Sequence, residues 1–171
     1  MSSSLLLNHG IDLENHTVNL VGEVDLAMYN RVLLATGLLG DSEKVTFVLN
    51  TTGGVLNQAF GIYDLIKTAF VSTKIICSSE VMSAGTIILS AGDERVAYPS
   101  TQFLIHYGEE TNSSGTEARH NANLLKRMKD IIAQHTVVKR RTLNSWFNKE
   151  THFDAKHALE IGLIQRVVQY E

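Results

Sequence analysis

The chain has 171 residues, 44% of them hydrophobic, with 15 Lys and Arg against 18 Asp and Glu. That length suits a single domain with a sizeable core. A formal net charge of −3, with basic residues scattered apart from Lys139-Arg140-Arg141, argues against nucleic acid as a partner. Cys77 is the only cysteine, which excludes an intrachain disulfide and fits a reducing compartment. Met1 to Gly10 lacks the basic start of a signal peptide, and no apolar run reaches membrane-spanning length. A cytoplasmic protein with no membrane partner is the expectation.

Thr17 to Val21 reads as a strand, and Asp25 is placed to cap a helix over about 26–38 that ends near Gly37 or Gly40. Val45 to Leu49 is β-branched and apolar, the pattern of a buried strand. After Gly53-Gly54 an amphipathic helix runs to about Phe70, followed by a short apolar strand at Ile75-Ile76-Cys77. Ser83 is expected to open a helix that reaches about Ala91, and short strands follow near 95–97 and 102–106. Ser114 and Glu117 have capping-box spacing for a helix to about His135. A second helix is expected over about 137–147. Asp154 to Gly162 has the N-cap and C′ glycine of a short helix, and Leu163 to Val168 reads as the last strand. Strands alternating with helices predict an α/β fold with parallel pairing.

One constellation carries chemistry. Ser83 follows a strand, His106 follows the apolar Phe103-Leu104-Ile105, and Gly53-Gly54 stands upstream. These are the parts of an acyl-transfer site: nucleophile, general base and backbone oxyanion donors. Taken alone, Ser83 reads more readily as an N-cap, and Gly53-Gly54 as a strand-to-helix turn. Their joint presence favours catalysis. The other six histidines show no metal-ligand spacing, and no metal or organic cofactor is expected.

The residues resemble ClpP, the serine peptidase family of ATP-dependent proteases, from about Val18 to Val168. Asn50-Thr51-Thr52-Gly53-Gly54-Val55 is similar to the family's Asn-Ser-Pro-Gly-Gly segment, and Gly61-Ile62-Tyr63-Asp64 to its following helix. Met82-Ser83-Ala84-Gly85 resembles the nucleophile turn, and Leu104-Ile105-His106 the Met-Ile-His segment. Ala158 to Ile164 resembles the C-terminal Ala-x-Glu-x-Gly-Leu-Ile. The resemblance implies a crotonase-like spiral of ββα units in one domain, with a helical handle inserted at about 108–150. It also implies a homo-oligomer of stacked heptameric rings, a tetradecamer with a closed chamber, fed with polypeptide substrates by an AAA+ unfoldase.

By that resemblance Ser83 is the nucleophile and His106 the base. Gly54 and Ala84 supply oxyanion N–H groups, Gly53 the turn, and Val55 a backbone edge for an extended peptide. Aligning on Phe153 puts Thr151 where the family has its triad aspartate, with Glu150 and Asp154 as the nearby carboxylates. Lys149-Glu150 reverses the polarity of the family's inter-ring pair, which predicts reciprocal contacts between rings. Thr52 replaces the family's proline, Tyr107-Gly108 replaces its Gln-Pro, and little sequence precedes Val18 for axial loops. These departures leave a weakly active ring subunit with an assembly role as the alternative to a serine endopeptidase. An acyl-CoA enzyme of the crotonase type is a further rival.

Overall fold

In the computed structural model the described residues are 2–106 and 114–169. The fold is α/β. A parallel run of strands forms its centre: β2 (Thr17–Val21), β3 (Val45–Thr51), β4 (Thr73–Met82), β5 (Glu94–Ala97) and β8 (Arg166–Val167). β3 alternates buried and half-buried positions along its length, with Val45, Phe47 and Leu49 wholly inside. The short β1 (Ile11–Asp12) closes one edge antiparallel to β2.

β4 is the strand that shapes the site. It is ten residues long, much longer than the predicted Ile75–Cys77, and it serves two neighbours in turn. Lys74 to Cys77 pair with β5, and Glu80 to Met82 pair with β6 (Gln102–Ile105). Between them Ser79 adopts a positive φ of 57° and the register against β3 shifts. That irregularity, four residues of β4 against two of β3, turns the strand away from β5, because extra residues in one strand bend it locally. β6 then pairs antiparallel with β7 (Thr151–Asp154), a strand the sequence pattern does not reveal.

The helices cover this sheet. α2 (Leu26–Leu39) is capped by Asp25, whose carboxylate accepts from Met28 N at 2.8 Å, and it ends at Gly40. α3 (Leu56–Ala69) runs to Phe70 as expected. α4 (Gly85–Ser90) is buried at all six positions. α5 (Thr116–Gln134) lays Leu124, Met128 and Ile132 inward at helical spacing, and Arg127 stacks 4.2 Å over the Phe60 ring of α3. α6 (Arg140–Lys149) buries Leu143 and Phe147. α7 (Ala155–Glu160) is capped by Asp154, which accepts from His157 N at 2.8 Å. An N-terminal helix α1 (Ser2–His9) precedes β1.

Several expected boundaries move. The capping box at Ser114 and Glu117 does not form: Gly115, with φ 64°, stands at the N-cap of α5 without a side-chain bond. The second handle helix starts at Arg140 rather than about 137. Val137 N is instead held by Ile161 O at 2.9 Å, so this segment follows the C-terminal turn. The last strand shortens to Arg166–Val167, because Leu163 and Ile164 are core residues in the turn before it. The start of the handle, including Tyr107-Gly108, lies outside the described residues.

Candidate active site

Ser83 does not open its helix. It stands two residues before α4 with φ 51°, and Ala84 occupies the N-cap position. The N-cap role therefore does not explain Ser83. A serine at positive φ between a strand and a buried helix is a sharp strand-turn-helix elbow, a geometry that costs an L-residue about 1–2 kcal/mol. Local bonds hold it. Ser83 O accepts from Thr86 N at 3.0 Å and from Thr86 Oγ1 at 2.7 Å. Ser83 N donates to Leu104 O at 2.9 Å, so the elbow is tied across to β6.

That tie brings His106 alongside. Met82 is in register with Leu104, and His106 is the residue after β6 ends. Its side chain is 20% exposed. Among the described residues no hydrogen bond joins Ser83 Oγ to His106.

Gly53 and Gly54 approach the elbow from β3. Both have positive φ, 105° and 144°. A Cβ on Gly53 would lie 2.8 Å from Ser83 Cβ and 3.0 Å from Met82 O, so only glycine lets the two turns meet. Gly53 N is already bonded to Thr51 Oγ1 at 3.0 Å. By contrast, no bond engages the N–H of Gly54 or of Ala84 among the described residues. Gly54 is held from its other side: Val24 N donates to Gly53 O, and Val55 N donates to Val24 O, each at 2.8 Å.

That bond corrects one expectation. Val55 cannot offer its N–H to an extended peptide, and its carbonyl accepts from Ala59 N at 3.1 Å as the first bond of α3. Val55 presents its half-exposed side chain instead.

The group beside His106 is also not the one the alignment favoured. Thr151 pairs with Ile105 across β6 and β7, but its hydroxyl donates to Trp146 O at 3.3 Å. One step further along, Glu150 Oε1 lies 3.3 Å from His106 Nδ1. Glu150 ends α6 in the left-handed region, φ 50°, which swings its carboxylate toward the histidine. Its side chain is 68% exposed. Asp154 is occupied as the cap of α7. The signal for Glu150 was in the sequence, since it was among the nearby carboxylates. The missing piece was β7, whose register decides which residue meets His106.

Cys77 is not a rival nucleophile. It is fully buried, and that burial pushes its thiol well above the usual range despite nearby Arg95.

A serine elbow, His106 just past a strand end and two amides with no bond among the described residues are thus gathered around β4 and β6. Residues 10–171 match the model of the Clp protease family, and the chain belongs to that family. Among solved structures, a ClpP1 point mutant from Listeria monocytogenes matches with a TM-score of 0.83. That match covers 93% of this chain and 94% of the other at 22% sequence identity, a likeness of fold. No helix among the described residues is long and apolar enough to cross a membrane.

Proposed function

We propose that the chain is a serine endopeptidase acting on unfolded polypeptides through an acyl-enzyme on Ser83. The supporting observation is the tie of Ser83 N to Leu104 O, which sets the elbow beside His106. The Ser83 hydroxyl attacks the peptide carbonyl, and its proton passes to His106 Nε2, the ring nitrogen that does not face Glu150. The Gly54 and Ala84 amides take the oxyanion. His106 returns the proton to the leaving amine, and water then releases the acyl group by the reverse route. Glu150, rather than Thr151, orients the ring.

Action inside a ring chamber is part of this reading. α2 leaves Leu26, Leu33, Leu34 and Leu38 exposed although Met28, Val32, Ala35 and Leu39 are buried. A helix apolar on both sides is suited to burial between subunits rather than to water. Any use of ATP falls to a partner unfoldase, since the sequence has no phosphate-binding Gly-x-x-x-x-Gly-Lys-Ser/Thr loop.

The test is hydrolysis of a fluorogenic peptide together with fluorophosphonate labelling. Turnover that vanishes in Ser83→Ala, with labelling lost in His106→Ala, supports the reading. A specific observation favours the weakly active subunit as second reading: the dyad lacks its hydrogen bond, and the carboxylate beside it is largely in solvent. An assembled ring without labelling or turnover would select it.

A further inference from the structure

The charge of this chain is segregated. Between residues 114 and 150 there are eight Lys and Arg against three Asp and Glu, while the rest carries seven against fifteen. The sequence pattern conceals this because the basic residues are spaced along two helices. Folding gathers them. A groove of about 280 Å³ between α5 and α6 is lined by Ala122, Leu125, Lys126, Lys129, Arg140 and Asn144.

Three cations share this groove, and the local electrostatics oppose it. Lys126 and Lys129 are three apart on α5, neighbours on one helix face, where like charges repel. Lys139, Arg140 and Arg141 crowd the N-terminal end of α6, the positive end of its dipole, and no side chain caps it. Asp130 holds Arg140 Nη1 at 2.6 Å. Lys129 lies 5.2 Å from the Phe147 ring centroid. Among the described residues nothing engages Lys126 Nζ, the remaining guanidinium nitrogens of Arg140, or the Asn144 amide.

We propose that this groove is a binding site for a phosphate-type oxyanion, either free phosphate or the phosphoryl group of a larger ligand. Arg140 offers a planar fork, Lys126 a point charge and Asn144 an amide donor. An oxyanion seated there relieves the repulsion along α5 and meets the uncapped end of α6 with the favourable sign. It also bridges the two helices. The proposal does not depend on the peptidase chemistry.

The experiment is calorimetric titration of the full chain with inorganic phosphate, and separately with a phosphate monoester, at constant ionic strength balanced with chloride. Saturable phosphate binding is expected, weakened about tenfold or more in Lys126→Gln and in Arg140→Gln, and unchanged in Lys149→Gln. Tighter binding of the ester identifies a phosphoryl group on a larger ligand; preference for the free ion identifies phosphate itself. Asn144→Asp guards against loss of folding. Its carboxylate serves as a built-in counterion, so it should raise the Tm without phosphate and abolish phosphate binding. Non-saturable binding, equal effects of chloride, or an Asn144→Asp variant that keeps phosphate affinity would overturn the proposal.

Discussion

Glu150 Oε1 stands 3.3 Å from His106 Nδ1, while the hydroxyl of the adjacent Thr151 turns to the carbonyl of Trp146. Two neighbouring residues on one turn thus face different partners. Glu150→Gln should lower kcat for a fluorogenic peptide roughly 10- to 100-fold. That is less than the ~10⁴ a buried triad carboxylate can be worth, because water already screens this side chain. Thr151→Ala should leave kcat within about twofold and cost about 1 kcal/mol of stability for the lost hydrogen bond. Steady-state kinetics on both variants, with thermal melts, separates them; a larger kcat loss in Thr151→Ala would reverse the assignment.

Gly53 is predicted to tolerate no side chain. Gly53→Ala would press a methyl against Ser83 Cβ and Met82 O at a φ of 105°. The expected cost is about 2 kcal/mol or more, together with loss of Ser83 labelling by a fluorophosphonate. A variant of normal stability and labelling would mean that the two turns are looser than their distances imply.

Acid should weaken the fold over two separate pH windows. His135 is held below its ordinary value of 6.5 by burial, then by Arg95 and Lys67 nearby. A histidine whose folded pKa is lowered takes up its proton more readily when unfolded, so stability falls as pH drops below about 6.5. His135→Gln should flatten that part of the profile.

Glu94 is lowered from 4.5 to about 2, first by the hydrogen bond from Lys44, with partial burial opposing and Arg166 and Lys74 assisting. Lys44 Nζ stands 2.7 Å away, Arg166 Nη2 3.1 Å and Lys74 Nζ 3.4 Å. Its contribution is complete above about pH 4.5 and disappears toward pH 2. The Tm difference between wild type and Glu94→Gln should therefore be greatest at neutral pH and shrink through that lower window.

Ser79 is an exposed residue at φ 57° in the bend of β4. Ser79→Gly should relieve the left-handed strain and raise stability by up to about 1 kcal/mol, net of glycine's extra freedom when unfolded. Chemical denaturation reads this directly, and a loss of stability would show that the serine side chain contributes more than the strain costs.

The sequence made the central parallel strands and two of the helix caps legible, because period-two burial and side-chain capping are local signals. Asp25 and Asp154 cap as their positions suggest. The elbow was less legible. Ser83 has an N-cap's composition, yet its turn is set by the distant Leu104 carbonyl, which no local window contains. β7 was hidden for a similar reason: Thr151 to Asp154 forms a strand only because β6 offers a free edge. Without the register of that strand, alignment on Phe153 points to Thr151 rather than Glu150. The basic groove was hidden too, since Lys126 and Arg140 meet only after α5 and α6 fold back on each other.

The two-neighbour course of β4 has a mechanical outcome. The far half of that strand leads into the elbow and also pairs with the strand that ends one residue before His106, so hydroxyl and imidazole hang from two directly paired strands. Glu150 is mounted differently, at the tail of a helix on the far side of β6. Glu150 also leads straight into β7, whose pairing with β6 anchors the carboxylate to the same sheet that carries the other two.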